Sequence, residues 1–251
     1  MTVQVRPRSD ARHQLVTETW TTEPPLPVDE YVDLYGNPVK RLVAPRGTLS
    51  LRYDARCLVP DEADPDGSGV GQARVEEIPG ELLHYTLPSR YCLSDELMAT
   101  AWELFGSTEP GWVRVQAICD WVHDNLKFEY GASNPLTTAV DVYKDRKGVC
   151  RDFAHLAVTF CRAMSIPARY VFGYLPDIYV PAVPEPMDFA AWMEVWLGDR
   201  WWTFDPRNNT RRVGRVLIGR GRDALDVAMV TTFGPAEFRS MTVWADKEEA
   251  A

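Results

Sequence analysis

Along the first 88 residues, apolar and β-branched positions come in short runs broken by turn residues. Gln14 to Trp20, Val39 to Val43 and Thr48 to Val59 are separated by Glu23-Pro24-Pro25-Leu26-Pro27, Tyr35-Gly36-Asn37-Pro38 and Pro45-Arg46-Gly47, a spacing that predicts strands joined by turns. The acidic, glycine-containing stretch Pro60 to Gly71 interrupts the pattern and reads as a loop or linker. From Leu93 the period becomes helical. Leu97, Met98, Ala101, Trp102 and Phe105 follow Ser94, a candidate N-cap, and stop at Gly106. A second helix is expected from about Pro110, with Val115, Ile118, Cys119, Val122 and Leu126 on one face. A third starts near Cys150 with the stripe Phe153, Leu156, Ala157, Phe160, Cys161 and Met164, and ends at Ile166-Pro167. Beyond it the period falls to two. Arg169 to Tyr174 reads as a strand and the proline-rich run Leu175 to Asp188 as a long, rigid surface loop. Trp192 to Leu197 and Arg200 to Asp205 read as a hairpin closed by Gly198-Asp199. Two more strands are expected near Val227 to Thr232 and Phe238 to Trp244. Helices followed by antiparallel strands imply an α+β fold, with a β-rich N-terminal region over residues 1–88 and a second unit over 89–251.

Composition narrows the partners. Thirty-six acidic against 27 basic side chains give a formal charge of -9 over 251 residues, which argues against a nucleic-acid surface or an anionic membrane surface. No apolar run is long enough to span a bilayer, and Met1 to Asp10 lacks the apolar core of a secretory signal, so the expectation is a cytoplasmic protein. Five scattered cysteines (Cys57, Cys92, Cys119, Cys150, Cys161) without a C-x-x-C pair, and four dispersed histidines (His13, His84, His123, His155), suggest neither a disulfide framework nor a metal site. No cofactor is expected. The oligomeric state is not legible.

One cysteine stands apart. Cys150 opens the third helix in the run Lys147-Gly148-Val149-Cys150-Arg151-Asp152. Free backbone N–H groups and the helix dipole there favour a thiolate and could hold an oxyanion. The competing reading is a small packing residue on the stripe of Phe153 and Ala157, which also serves for the other four cysteines. In the hairpin, Trp192, Glu194, Trp196, Trp201, Thr203 and Asp205 share one face. Position 190 lies on that face, diagonal to Asp205 at roughly 7–8 Å or somewhat less, so a histidine there could reach the carboxylate, as a nucleophile, base and orienting acid require.

Several ordered motifs carry a resemblance. Gly148-Val149-Cys150-Arg151-Asp152-Phe153-Ala154-His155-Leu156, Ile166-Pro167-Ala168-Arg169-Tyr170-Val171, Gly173-Tyr174, Asp188-Phe189-Ala190-Ala191-Trp192 and Trp202-Thr203-Phe204-Asp205-Pro206-Arg207 are similar to the core of bacterial transglutaminase-like cysteine enzymes. Gly214-Arg215-Val216 and the run Gly221 to Ala228 continue it over about residues 90 to 245. The resemblance implies a papain-like core, a helix bundle packed on an antiparallel sheet, in which a cysteine at a helix N-terminus faces a histidine and an aspartate on neighbouring strands. It also implies an acyl-enzyme on Cys150 and a peptide, amide or thioester substrate. Asp33-Leu34-Tyr35-Gly36-Asn37 resembles the β-rich region that precedes this core in many members, where one more strand before Val3 would be expected.

The departure is at position 190, where the family's histidine is replaced by Ala190. His155 belongs to the helix motif and, five residues after Cys150, lies on another side of that helix. Without a base, amide chemistry should fall by about 10² to 10⁴, whereas a thioester, whose leaving group needs little protonation, remains open to attack. An inactive or impaired chain follows, and an engineered His-to-Ala replacement is the favoured explanation. The alternatives are a natural variant with altered carbonyl chemistry and a non-catalytic binding module. Trp192 and Trp201 are candidate substrate-binding walls. The arginines at 211, 212, 215, 220 and 222 read as salt-bridged loop residues in preference to an anion site.

Overall fold

The computed structural model describes residues 1–10, 12–181 and 187–248, so part of the proline-rich loop lies outside the described residues. In chain order the elements are β1 (Thr2–Val3), β2 (Gln14–Glu23), β3 (Asp29–Val32), β4 (Pro38–Arg41), β5 (Ser50–Leu58), α1 (Met98–Phe105), α2 (Trp112–Asn125), β6 (Lys127–Phe128), α3 (Ala139–Asp145), β7 (Lys147–Gly148), α4 (Cys150–Ala163), β8 (Ala168–Tyr174), β9 (Ala190–Leu197), β10 (Arg200–Phe204), β11 (Val216–Gly221) and β12 (Val230–Thr231).

Helix α4 organises the molecule. Every residue from Asp152 to Ala163 is buried, including Leu156 and Phe160 at 0% exposure, and each such side chain is worth about 1.5–3 kcal/mol of burial. On one side α4 meets α1, α2 and α3. On the other it lies across an antiparallel sheet of order β10-β9-β8-β11. Met193, Val195, Leu197 and Phe204 enter the larger core with α4, while Tyr170, Phe172 and Ala191 form a second cluster with Ala154. These alternate residues of β8 and β9 therefore face the helix, and Ala190, Trp192 and Glu194 face the other way.

That second face is covered by the N-terminal region. The Arg8 amide donates to the Leu217 carbonyl at 2.7 Å and the Gln4 amide to the Met229 carbonyl at 2.8 Å. Buried Glu194 pairs with Arg169 at 2.6 Å and Arg220 at 2.8 Å. Burial raises the Glu194 carboxyl, but the two guanidinium groups outweigh it and leave the pKa below the ordinary glutamate value. The N-terminal sheet has order β12-β1-β4-β3, so Val230–Thr231 from the far end of the chain forms its edge and ties residues 1–88 to the rest.

The hairpin register matches expectation, with Leu197 opposite Arg200 and Val195 opposite Trp202, and Gly198 adopts φ +62 in the turn. Three features differ from the sequence expectation. Helix α1 begins after Leu97, three residues beyond Ser94. Helix α3 was not anticipated; Thr138 caps it by accepting from the Asp141 amide. Phe238 to Trp244 forms no strand, and Phe238 and Trp244 remain exposed: β-forming side chains without a neighbouring edge do not make a sheet.

Candidate active site

Cys150 is the first residue of α4. Its position is fixed from behind by Asp152, whose Oδ2 accepts the Val149 amide at 2.8 Å and the Ser133 hydroxyl at 2.5 Å. Arg151 completes this support by donating to Asp152 Oδ1 at 2.9 Å. Glycine is required at 148, since a Cβ there would stand 2.6 Å from the Asp152 Cβ.

The sulfur lies against the start of β9. The Cys150 thiol donates to the Phe189 carbonyl, Sγ to O 3.7 Å, and the Ala191 amide points toward the sulfur. The Trp196 amide bonds to Pro167, on the β8 side, so the backbone groups of alternate residues 189, 191 and 193 point toward β10. The last registered pair there is Met193 with Phe204. The thiol therefore occupies the stretch of β9 edge that opens where β10 stops.

Burial pushes the Cys150 thiol up to about 11, against the opposing effects of the Ala191 amide and the Arg207 charge. The sequence expectation of a lowered thiol pKa is corrected here. The helix end is present, but its contribution, about 0.3–1 kcal/mol, is under one pKa unit and loses to desolvation.

Asp205 is the residue after β10, opposite Trp192 in the continued register, and its side chain is 2% exposed. It orients no imidazole. Oδ2 accepts from Arg215 Nη2 at 2.9 Å and Asn208 Nδ2 at 2.8 Å, and Oδ1 accepts the Asn208 amide at 3.0 Å. Arg215 also pairs with Asp64 at 2.8 Å and stacks over Trp192 at 4.9 Å. Arg215 thus shares the Asp205 carboxylate with Asn208. Ala190 pairs with Gly173 in β8 and is half-buried.

The other predicted residues are distributed as follows. His155 is 1% exposed and its Nε2 accepts the Ala224 amide at 3.1 Å. It lies between the rings of Tyr91 and Tyr170, with centroids 5.1 and 4.9 Å away. Burial lowers its pKa to about 3, so it is neutral and protonated on Nδ1. Trp192 is buried and lines a cleft of about 130 Å3 with Arg8, His13, Thr203 and Arg215. Trp201 sits at the turn end of the hairpin, edge-on to Tyr85 at 5.3 Å and under Arg169 at 3.9 Å, which is a packing role away from Cys150. The arginines of the 211–222 cluster each pair with a carboxylate: Arg211 with Asp66, Arg212 with Asp177, Arg215 with Asp64 and Asp205, Arg220 with Glu194, and Arg222 with Asp226. Sequence reasoning passed over Asp64, Asn208 and Arg207. Asp64 lies about 150 residues from Arg212 and Arg215 and gave no local signal, whereas Arg207 closes the motif around Asp205 without a role read from it and Asn208 directly follows.

The Transglutaminase-like superfamily profile matches residues 99–206, the stretch from α1 to just past Asp205. A Cytophaga hutchinsonii protein whose crystal structure bears the name "putative cysteine protease" is 31% identical, with a TM-score of 0.82 over 98% of this chain and 88% of that one. An uncharacterized Mycobacterium leprae protein is 27% identical over 90% of this chain and 82% of its own length. Another from Mycobacterium tuberculosis is 28% identical over 88% and 77%. The chain belongs to the transglutaminase-like superfamily, and its fold is the papain-like α+β arrangement of cysteine enzymes.

Proposed function

We propose that Cys150 takes an acyl group from donors whose leaving group departs without a proton, thioesters above all, and that amides are turned over poorly. The observation that carries this reading is the lodging of Asp205, held by Arg215 and Asn208 with no imidazole beside it. A departing amine needs a positioned acid, and that help is worth about 10² to 10⁴ in rate; a departing thiolate does not. The Cys150 thiolate bonds to the acyl carbon, the donor's carbon–sulfur bond breaks, and the thiol proton goes to solvent. Water or an amine then releases the acyl group.

The parent gene's codon 190 decides the origin of Ala190: an alanine codon makes it the native residue, and a histidine codon makes the chain an engineered knockout.

The activity test is intact-mass analysis after exposure to a panel of acyl thioesters and matched peptide amides. The expected result is a single acyl adduct from thioesters, absent in Cys150→Ala, with none from amides. No adduct from any thioester would overturn the proposal in favour of a binding role.

A further inference from the structure

We propose that Arg207 holds negative charge at Cys150, and that Asp205 keeps it there through Asn208, so that the family's carboxylate orients a guanidinium where a triad would orient a histidine. This rests on Cys150 being the nucleophile and names a second participant in its chemistry.

The placement starts from the register. Met193 opposite Phe204 continues to Ala190 opposite residue 207. The chain does not continue as a strand; it turns, with the Asn209 amide donating to the Asp205 carbonyl at 2.7 Å, which leaves Arg207 at the end of β10 beside the start of β9. Its guanidinium carbon lies 4.3 Å from the Phe128 ring centroid. Phe128 pairs with Gly148 in the β6–β7 ladder, two residues before Cys150. Strand, ring and guanidinium thus converge on the mouth where the sulfur sits.

The side chain is held in place. Arg207 Nη1 donates to Asn208 Oδ1 at 2.9 Å, and Asn208 returns to Asp205 through Nδ2 at 2.8 Å and its amide at 3.0 Å. The Arg207 carbonyl meets His123 Nδ1 at 2.9 Å, which fixes the backbone. Among the described residues Arg207 forms no ion pair, in contrast to the five arginines from 211 to 222, so its charge is not cancelled by a carboxylate partner.

The charged and titratable groups around the thiol come from four directions: Arg151 and Asp152 on α4, Tyr170 on β8, Asp188 before β9, and Arg207 after β10. Arg151 and Asp152 are bonded to each other. Burial raises the thiol, Arg207 lowers it and Asp188 raises it. An arginine stays protonated and cannot accept the thiol proton. What it can do is favour the thiolate and then the oxyanion that forms when sulfur adds to a carbonyl carbon.

The test uses the full chain and two alkylating agents, neutral iodoacetamide and anionic iodoacetate, with Cys150 labelling read by mass spectrometry against Cys161 across pH 7–12. A cation beside the sulfur favours iodoacetate. Arg207→Gln is expected to lower the iodoacetate-to-iodoacetamide rate ratio at Cys150 by about threefold or more and to move the pH midpoint upward. Arg207→Lys should restore most of the ratio, and Asn208→Ala should fall between wild type and Arg207→Gln. Without any mutation, raising salt should depress the wild-type ratio, which keeps the test open if a variant does not fold. A ratio and midpoint indifferent to Arg207→Gln and to salt would overturn the assignment while leaving Cys150 as nucleophile. Labelling at Cys150 no faster than at Cys161 in every chain would overturn both.

Discussion

Cys150 should become reactive only at alkaline pH. Burial moves its thiol from the ordinary value of 9.0 to about 11. At pH 8 a cysteine of ordinary pKa is about one-tenth thiolate, and one two units higher is about one-thousandth thiolate, a hundredfold deficit. Part of this is returned, because a more basic thiolate is more nucleophilic by about 0.4–0.5 log units per pKa unit, or six- to tenfold over two units. The net expectation is alkylation by iodoacetamide about ten- to seventeenfold slower than at an unperturbed exposed thiol. The rate should climb close to tenfold per pH unit without levelling before about pH 10. Quench-flow or timed alkylation with peptide mapping gives this profile directly. A plateau with a midpoint at or below pH 9 would refute the reasoning, since it would mean that the helix end and the backbone amides outweigh desolvation.

Two further outcomes follow from buried charges. Arg215→Met leaves the Asp205 and Asp64 carboxylates without their shared cation, and breaking a buried pair costs about 3–5 kcal/mol. Thermal melts should show a fall of about 6–20 °C for a chain of this size, and a fall under about 2 °C would count against the ion pair as a structural member. His155, lowered to about 3 from 6.5 in the fold, is neutral when folded and protonates when unfolded. Its contribution is complete above about pH 6.5 and is lost as pH falls from there toward 3, at about 1.36 kcal/mol per unit, or roughly 2.7 kcal/mol by pH 4.5. His155→Gln should have a flatter stability profile than wild type between pH 7 and 4.5 in urea titrations. Parallel profiles would contradict the neutral-imidazole assignment.

Local periodicity carried much of the fold. The stripe from Phe153 to Met164 identified α4, and the glycine-first turn at Gly198 set the hairpin register to the residue. The signals that failed were those decided by distant contacts. Thr2–Val3 is too short to read as a strand alone and exists because it pairs with Lys40–Arg41 on one side and, on the other, with Val230–Thr231 inside the strand expected near 227–232. Phe238 to Trp244 has strand composition and no partner. The site divides in the same way. Cys150, position 190 and Asp205 were legible because motif spacing and register bring them to one end of the sheet. The partners of Arg215 were not: the arginine cluster reads as salt-bridged, but its pairing with both Asp205 and Asp64 from the other half of the chain is set by the fold. The direction of the thiol shift was missed for a related reason: a helix N-terminus is visible in sequence, and the desolvation around it is not.

Pro206 gives the end of β10 a further meaning. In the continued register it stands opposite Ala191, and a proline has no N–H with which to bond that residue's carbonyl. The strand is thereby chemically barred from zipping further, and the sulfur inherits hydrogen-bonding positions that another residue's backbone would otherwise fill. The imino acid works as a doorstop, holding open the gap at the end of the hairpin beside which Cys150 lies.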